Sequence, residues 1–143
     1  MHLQYFDILP KAQKVYTRLM DPLCQQWKLT RNELDVLLFL ANNPSQNRAV
    51  DIVNRRGISK SHVSLAVTLL EEKGYLTRKT SDADRRTVHL FLTDATGEMV
   101  QQGQQLQRQF YEQIHGGISQ EEMALWIHIN NKISDNILNL SQD

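Results

Sequence analysis

The stretch SKSHVSLAVTLLEEKGYLTRKTSDADRRTVHLFLT, Ser59 to Thr93, changes its hydrophobic period halfway along. Val63, Ala66, Val67 and Leu70 recur at helical spacing, and Gly74 stops that helix. After the charged turn SDADRR, Val88, Leu90 and Leu92 alternate with His89, Phe91 and Thr93, which is the period of a strand. A short helix leading into a hairpin with Arg85 and Arg86 at its tip predicts a winged helix-turn-helix. That arrangement sets one helix end and one basic loop on the same side, where a DNA duplex can receive both. Double-stranded DNA is therefore the expected partner.

Composition is compatible with that expectation. The chain has 143 residues, enough for one domain with appended helices and a core that needs no disulfides. Three prolines and six glycines argue against disorder. The single cysteine, Cys24, has no partner for an internal disulfide and predicts a reducing, cytoplasmic setting. No apolar run approaches the roughly 18–20 residues of a membrane span, and MHLQYFDILPK has no export pattern. The formal net charge of zero conceals a segregation. Between Arg48 and His89 nine basic residues face five acidic ones, a net of +4, and the remaining seven basic and eleven acidic residues give −4.

Working outward, Leu3, Phe6, Leu9, Val15, Tyr16, Leu19 and Leu23 have roughly helical spacing, with Pro10 and Pro22 expected to kink or restart the helix. In LTRNELDVLLFLAN, Thr30 and Glu33 have the spacing of a capping box ahead of Leu34, Leu37, Leu38 and Phe39. Asn42 to Ser45 make a turn, and a short helix runs from Arg48 to about Arg56, closed by Gly57. Either Ser59 or Ser61 caps the next helix. Beyond the hairpin, Thr93 is expected to cap a polar helix from Asp94 to about His115, with a narrow stripe of Met99, Leu106, Phe110 and Ile114. Gly116 and Gly117 end it, and Ser119 with Glu122 open a last helix whose stripe is Met123, Trp126, Ile129, Ile133, Ile137 and Leu140.

The expected fold is mainly α with a small β-hairpin wing. Residues 29–93 form a winged helix-turn-helix DNA-binding domain, and residues 1–28 and 94–143 form dimerisation helices. The outer stripes could pack within the chain. A homodimer interface is the preferred reading, because two-fold DNA sites ask for two-fold proteins.

These residues resemble the multiple-antibiotic-resistance regulator (MarR) family of bacterial transcription factors over nearly the whole chain. The most specific part is the wing, Asp84-Arg85-Arg86-Thr87-Val88-His89-Leu90-Phe91-Leu92-Thr93, and Gly57 to Leu76 looks like the family's turn and recognition helix. The resemblance implies a homodimer, a major-groove helix, a minor-groove wing and often a small effector near the hinge between the two regions. It assigns Arg86 to the minor groove, Asp84 to holding that arginine, and Arg85 to phosphate. The chain departs from the family at Leu65, where members often carry a basic residue.

On the helix, the face opposite Val63, Val67 and Leu70 carries Ser61, Ser64, Leu65 and Thr68. Small hydroxyls can reach base edges, and Leu65 can cover a thymine methyl. Ser59 is either a cap alone or a DNA contact, Lys60 supports phosphate binding at the helix start, and His62 suits a phosphate or a base. An arginine at the wing tip gains from the negative potential of a narrow minor groove. Arg55 and Arg56 either complement the dipole of the preceding helix or touch phosphate.

The five histidines show no ligand spacing, so neither a metal nor a cofactor is expected. Cys24 is read as a small core residue or an oxidant sensor. No nucleophile–base order or phosphate loop points to an enzyme. The resulting expectation is a dimeric repressor that occupies a pseudo-palindromic operator, with recognition helices in successive major grooves about 34–36 Å apart. A small effector in a crevice between the terminal helices and the winged module would release it, with Tyr16, Trp27 and Phe39 as lining or as plain core. The alternative is a winged-helix protein-interaction module, an antagonist of another regulator that does not itself bind DNA.

Overall fold

The computed structural model describes residues 4–140, with side-chain surroundings from Asp7 onward, so the side chains of His2, Leu3 and Phe6 lie outside the described set. The elements are α1 (Gln4–Trp27), α2 (Arg31–Asn42), α3 (Ala49–Arg56), α4 (Lys60–Glu72), β1 (Leu76–Thr80), β2 (Val88–Leu92), a 3-10 turn (Asp94–Thr96), α5 (Gly97–Ile114) and α6 (Gln120–Leu140). The fold is mainly helical with one antiparallel hairpin, as the periodicity predicts. Leu76 pairs with Leu92, Arg78 with Leu90 and Thr80 with Val88. None of the described helices is long and apolar enough to cross a membrane. The chain forms two compact units that divide between Arg108 and Gln109.

The first unit is built around α2. Leu34, Leu37, Leu38 and Phe39 are buried with Ile52 of α3, Val63, Ala66, Val67 and Leu70 of α4, and Leu76 and Leu90 of the hairpin. Each fully buried side chain of this size contributes about 1.5–3 kcal/mol of transfer free energy. Met20 and Leu23 of α1 and Met99 of α5 join the same core, so these outer helices do pack within the chain.

The local stops behave as the residue types require. Thr30 and Glu33 complete the capping box of α2. Gly74, at φ 75°, takes the left-handed turn that lets the chain leave α4 and enter β1. Two local expectations change. The first helix does not restart: α1 is continuous through Pro10 and Pro22. Each ring removes a single backbone bond, and at Pro22 burial of Met20 and Leu23 on either side offsets that loss. Thr93 precedes a 3-10 turn, and its hydroxyl makes no cap. It donates instead to the Gly74 carbonyl at 2.7 Å, tying the end of β2 to the end of α4.

The glutamines of the polar helix α5 form a docking ladder. Trp27 Nε1 donates to Gln102 at 3.1 Å, Gln104 donates to Asn42 at 3.0 Å, and Gln107 donates to the Tyr16 hydroxyl at 2.8 Å. Gly103 lies in the middle of this ladder. A Cβ there would stand 2.5 Å from Leu38 Cδ2, so any larger residue would force the Leu38 side chain to move.

In the second unit, Ser119 and Glu122 exchange hydrogen bonds at 2.8 and 3.1 Å to open α6, completing the expected capping box. His115 stacks on Tyr111 at 4.0 Å and meets Trp126 edge-on at 6.0 Å. No residue of α6 is buried, and Trp126, Ile129, Ile133 and Ile137 are all exposed.

Candidate nucleic-acid interface

Helix α4 separates its two faces cleanly. Val63, Ala66, Val67 and Leu70 are buried, while Lys60, Ser61, His62, Ser64 and Leu65 are exposed. Ser59 is the N-cap: its hydroxyl accepts the His62 backbone N–H at 3.3 Å and lies 3.2 Å from the Ser61 hydroxyl. The cap assignment left open between the two serines therefore falls to Ser59. Leu65 is 56% exposed, which rules out the packing of this side chain on a preceding helix. Thr68 is half-buried, and its hydroxyl accepts Arg78 Nη2 at 3.0 Å.

The wing tip is ordered by Asp84. Its carboxylate accepts the Thr87 hydroxyl at 2.6 Å and the Arg86 backbone N–H at 2.9 Å, and these bonds hold its pKa below the ordinary carboxylate value. The carboxylate thus shapes the backbone that presents Arg86, rather than gripping the guanidinium. Arg85 and Arg86 are both exposed. The hairpin is attached to the helices at Asn47, whose carbonyl accepts the Leu90 N–H at 2.7 Å and whose side chain bonds His89 Nδ1 at 2.7 Å.

Sequence reasoning missed two features here. In the sequence Arg78 is one of the nine basic residues between Arg48 and His89 and nothing more. Yet directly opposite residues of an antiparallel pair share a face, and Leu90 is buried, so Arg78 lies on the inner face of the hairpin. The strand register was the signal that could have found it. The second feature is a cavity of about 360 Å³ between α3, α4 and the hairpin. Ala49, Val50, Val53, Val67, Val88 and Leu90 give it an apolar lining, and Lys60, Ser64 and Arg78 supply its polar groups.

Other sequence candidates have structural duties. Arg55 donates to Gln46 at 2.9 Å, and the Arg56 guanidinium lies 5.7 Å from the centre of the Phe39 ring. Phe39 is buried core, while Tyr16 and Trp27 are engaged by Gln107 and Gln102. Burial pushes the Cys24 thiol pKa up, which disfavours the thiolate that oxidants attack.

A capped helix with a polar outer face, joined to a basic hairpin, defines a winged helix-turn-helix protein. A model of the MarR family matches residues 27–87, the part of the chain that runs from the end of α1 to the wing. Three solved structures share the fold. The transcriptional regulator PA3341 superposes with a TM-score of 0.81 at 20% identity, over 94% of this chain and 98% of that one. A MarR-family regulator from Silicibacter pomeroyi gives 0.76 at 17% identity, over 91% and 87%. BpsR of Bordetella bronchiseptica, whose DNA binding is regulated by 6-hydroxynicotinic acid, gives 0.67 at 23% identity, over 92% and 98%.

Proposed function

We propose that this protein is a homodimeric, sequence-specific DNA-binding repressor released by a small effector. The observation that carries the reading is the two-faced helix α4 beside an exposed Arg85–Arg86 tip. Ser61, Ser64, Leu65 and Thr68 read base edges in the major groove, Ser59, Lys60 and His62 anchor the helix start, and Arg86 enters the minor groove. Arg85 meets phosphate, and Asp84 holds the tip in shape. The dimer reading is supported by α6, which buries none of its apolar residues within the described chain, and by exposed Ile8, Leu9 and Val15 on α1.

The cavity between α3, α4 and the hairpin suits a small apolar acid, with its carboxylate on Lys60 and its ring among the valines. That ligand chemistry agrees with the aromatic acid that regulates BpsR. An effector there releases DNA only if it binds the DNA-incompetent arrangement of helix and wing more tightly than the competent one. Titrating the protein against a labelled duplex from its own upstream region tests the reading. Saturable binding that exceeds binding to a scrambled duplex by about 1,000-fold or more is expected of a specific regulator. Equal affinity for both duplexes would refute it.

A further inference from the structure

We propose that Arg78 is a positioning residue that fixes the wing against the recognition helix, so that the two DNA-reading elements act as one rigid unit; this rests on the DNA-binding reading above. Packing alone does not hold the outer half of the hairpin. Leu76 and Leu90 bury its base, but beyond them the inner face looks onto the 360 Å³ cavity, and Val88 is 40% exposed. Arg78 spans that gap. Its Nε lies 3.0 Å from Glu71 Oε2 and its Nη2 lies 3.0 Å from Thr68 Oγ1, so one planar guanidinium grips two residues about one turn apart on the α4 surface. A fork of donors on a rigid plane fixes orientation as well as distance, which a single ammonium contact does not. The guanidinium already has both partners within the protein. It therefore acts through Thr68 and Glu71, and not as a phosphate ligand.

The position explains an otherwise odd residue choice. An inward-facing strand residue opposite a buried leucine is ordinarily apolar. A leucine at position 78 would help fill the cavity but would leave the wing free to rock against α4. Binding two grooves at once favours a fixed spacing, because ordering a loose wing on DNA costs entropy that a braced wing has already lost.

Three variants of the full-length protein test this, each titrated on the selected duplex at several salt concentrations. Arg78→Met keeps the unbranched stem along the cavity and removes the donors, Arg78→Lys keeps the charge but not the fork, and Glu71→Gln weakens one anchor. Arg78→Met and Arg78→Lys should each lose about tenfold in affinity with the salt slope unchanged, as expected when a brace and not a phosphate contact is removed. Glu71→Gln should show part of that loss and add little to Arg78→Met. The further loss from Arg86→Ala should shrink in the Arg78→Met background, because a loose wing already contributes less. Circular dichroism at matched concentration checks that each variant is folded, and Arg78→Gln replaces any that is not. A salt slope reduced by about one in Arg78→Met would assign Arg78 to phosphate and overturn the proposal. Parental affinity in Arg78→Met, or full rescue by Arg78→Lys, would also overturn it. A parent protein that selects no duplex would instead remove the DNA-binding reading itself, and this proposal with it.

Discussion

Replacing Lys73 with methionine probes the ion pair that ties the end of α4 to the start of α2. Lys73 Nζ lies 2.6 Å from Glu33 Oε1 and 2.9 Å from the Lys28 carbonyl, and Glu33 is fully buried. Burial pushes the Glu33 pKa up, but hydrogen bonds from Lys73 and Thr30 outweigh it and leave the carboxyl below its ordinary value. Without the ammonium, burial is opposed chiefly by the Thr30 N–H, and the folded-state pKa rises. Removing one partner of a buried pair costs about 3–5 kcal/mol. The Lys73 side chain is 34% exposed, so water replaces part of what is lost. We expect about 2–3 kcal/mol near neutral pH, or a midpoint lower by roughly 5–10 °C.

The pH dependence is the sharper readout. In the parent, the folded carboxyl titrates below the unfolded one. Its contribution is complete above the unfolded pKa of about 4.3 and is lost as pH falls through the folded value. In Lys73→Met the order reverses, and stability falls as pH rises from the unfolded to the folded pKa. The stability gap between the two proteins is therefore larger at neutral pH than in acid. Urea unfolding followed by circular dichroism, at one protein concentration, measures that gap. Adding Glu33→Gln to the variant should recover most of the loss at neutral pH, since the amide keeps an acceptor for Thr30 without a buried charge. A gap of equal size at both pH values, or no recovery in the double variant, would refute the reasoning.

Arg86→Ala should weaken operator binding by about 1–3 kcal/mol in a titration at matched salt, with the melting temperature unchanged because the side chain lies outside the core. Leu65→Arg should shift the motif recovered from random duplexes towards guanine and steepen the salt dependence, since an exposed cation then joins the groove face. Sedimentation of the full-length protein at micromolar concentration should give a dimer, and deletion of residues 119–143 should give monomers or aggregates that no longer bind the operator. Gly103→Ala should cost about 1–3 kcal/mol in urea unfolding, because Leu38 must move to admit the new methyl group.

Much of the fold was legible because its signals are short-range. The Thr30–Glu33 and Ser119–Glu122 boxes, the glycine stops and the change of period at Gly74 each operate within a few residues, and α2, α4 and α6 start where their caps place them. The outer face of α4 followed from the same logic: once Val63, Ala66, Val67 and Leu70 face inward, helical geometry leaves Ser61, Ser64 and Leu65 outside. The restart expected at Pro22 failed for a complementary reason. Proline's cost is local, but the burial that offsets it comes from residues distant in the chain.

What the chain order concealed is where polar side chains find partners. Nothing near Arg78 in sequence marks it as inward-facing; the pairing of β1 with β2 does that, and only the docking of the hairpin on α4 brings Glu71 and Thr68 within 3.0 Å. Glu33 was readable as a cap, yet its ion pair joins residues 40 positions apart. The glutamines of α5 give no partner in sequence; Trp27, Asn42 and Tyr16 stand opposite them only in the fold, as Leu38 does opposite Gly103. Period and capping are properties of neighbouring residues and are written in their order. Ion pairs, close approaches and cavities depend on the distance between elements, which is fixed only when the whole core closes.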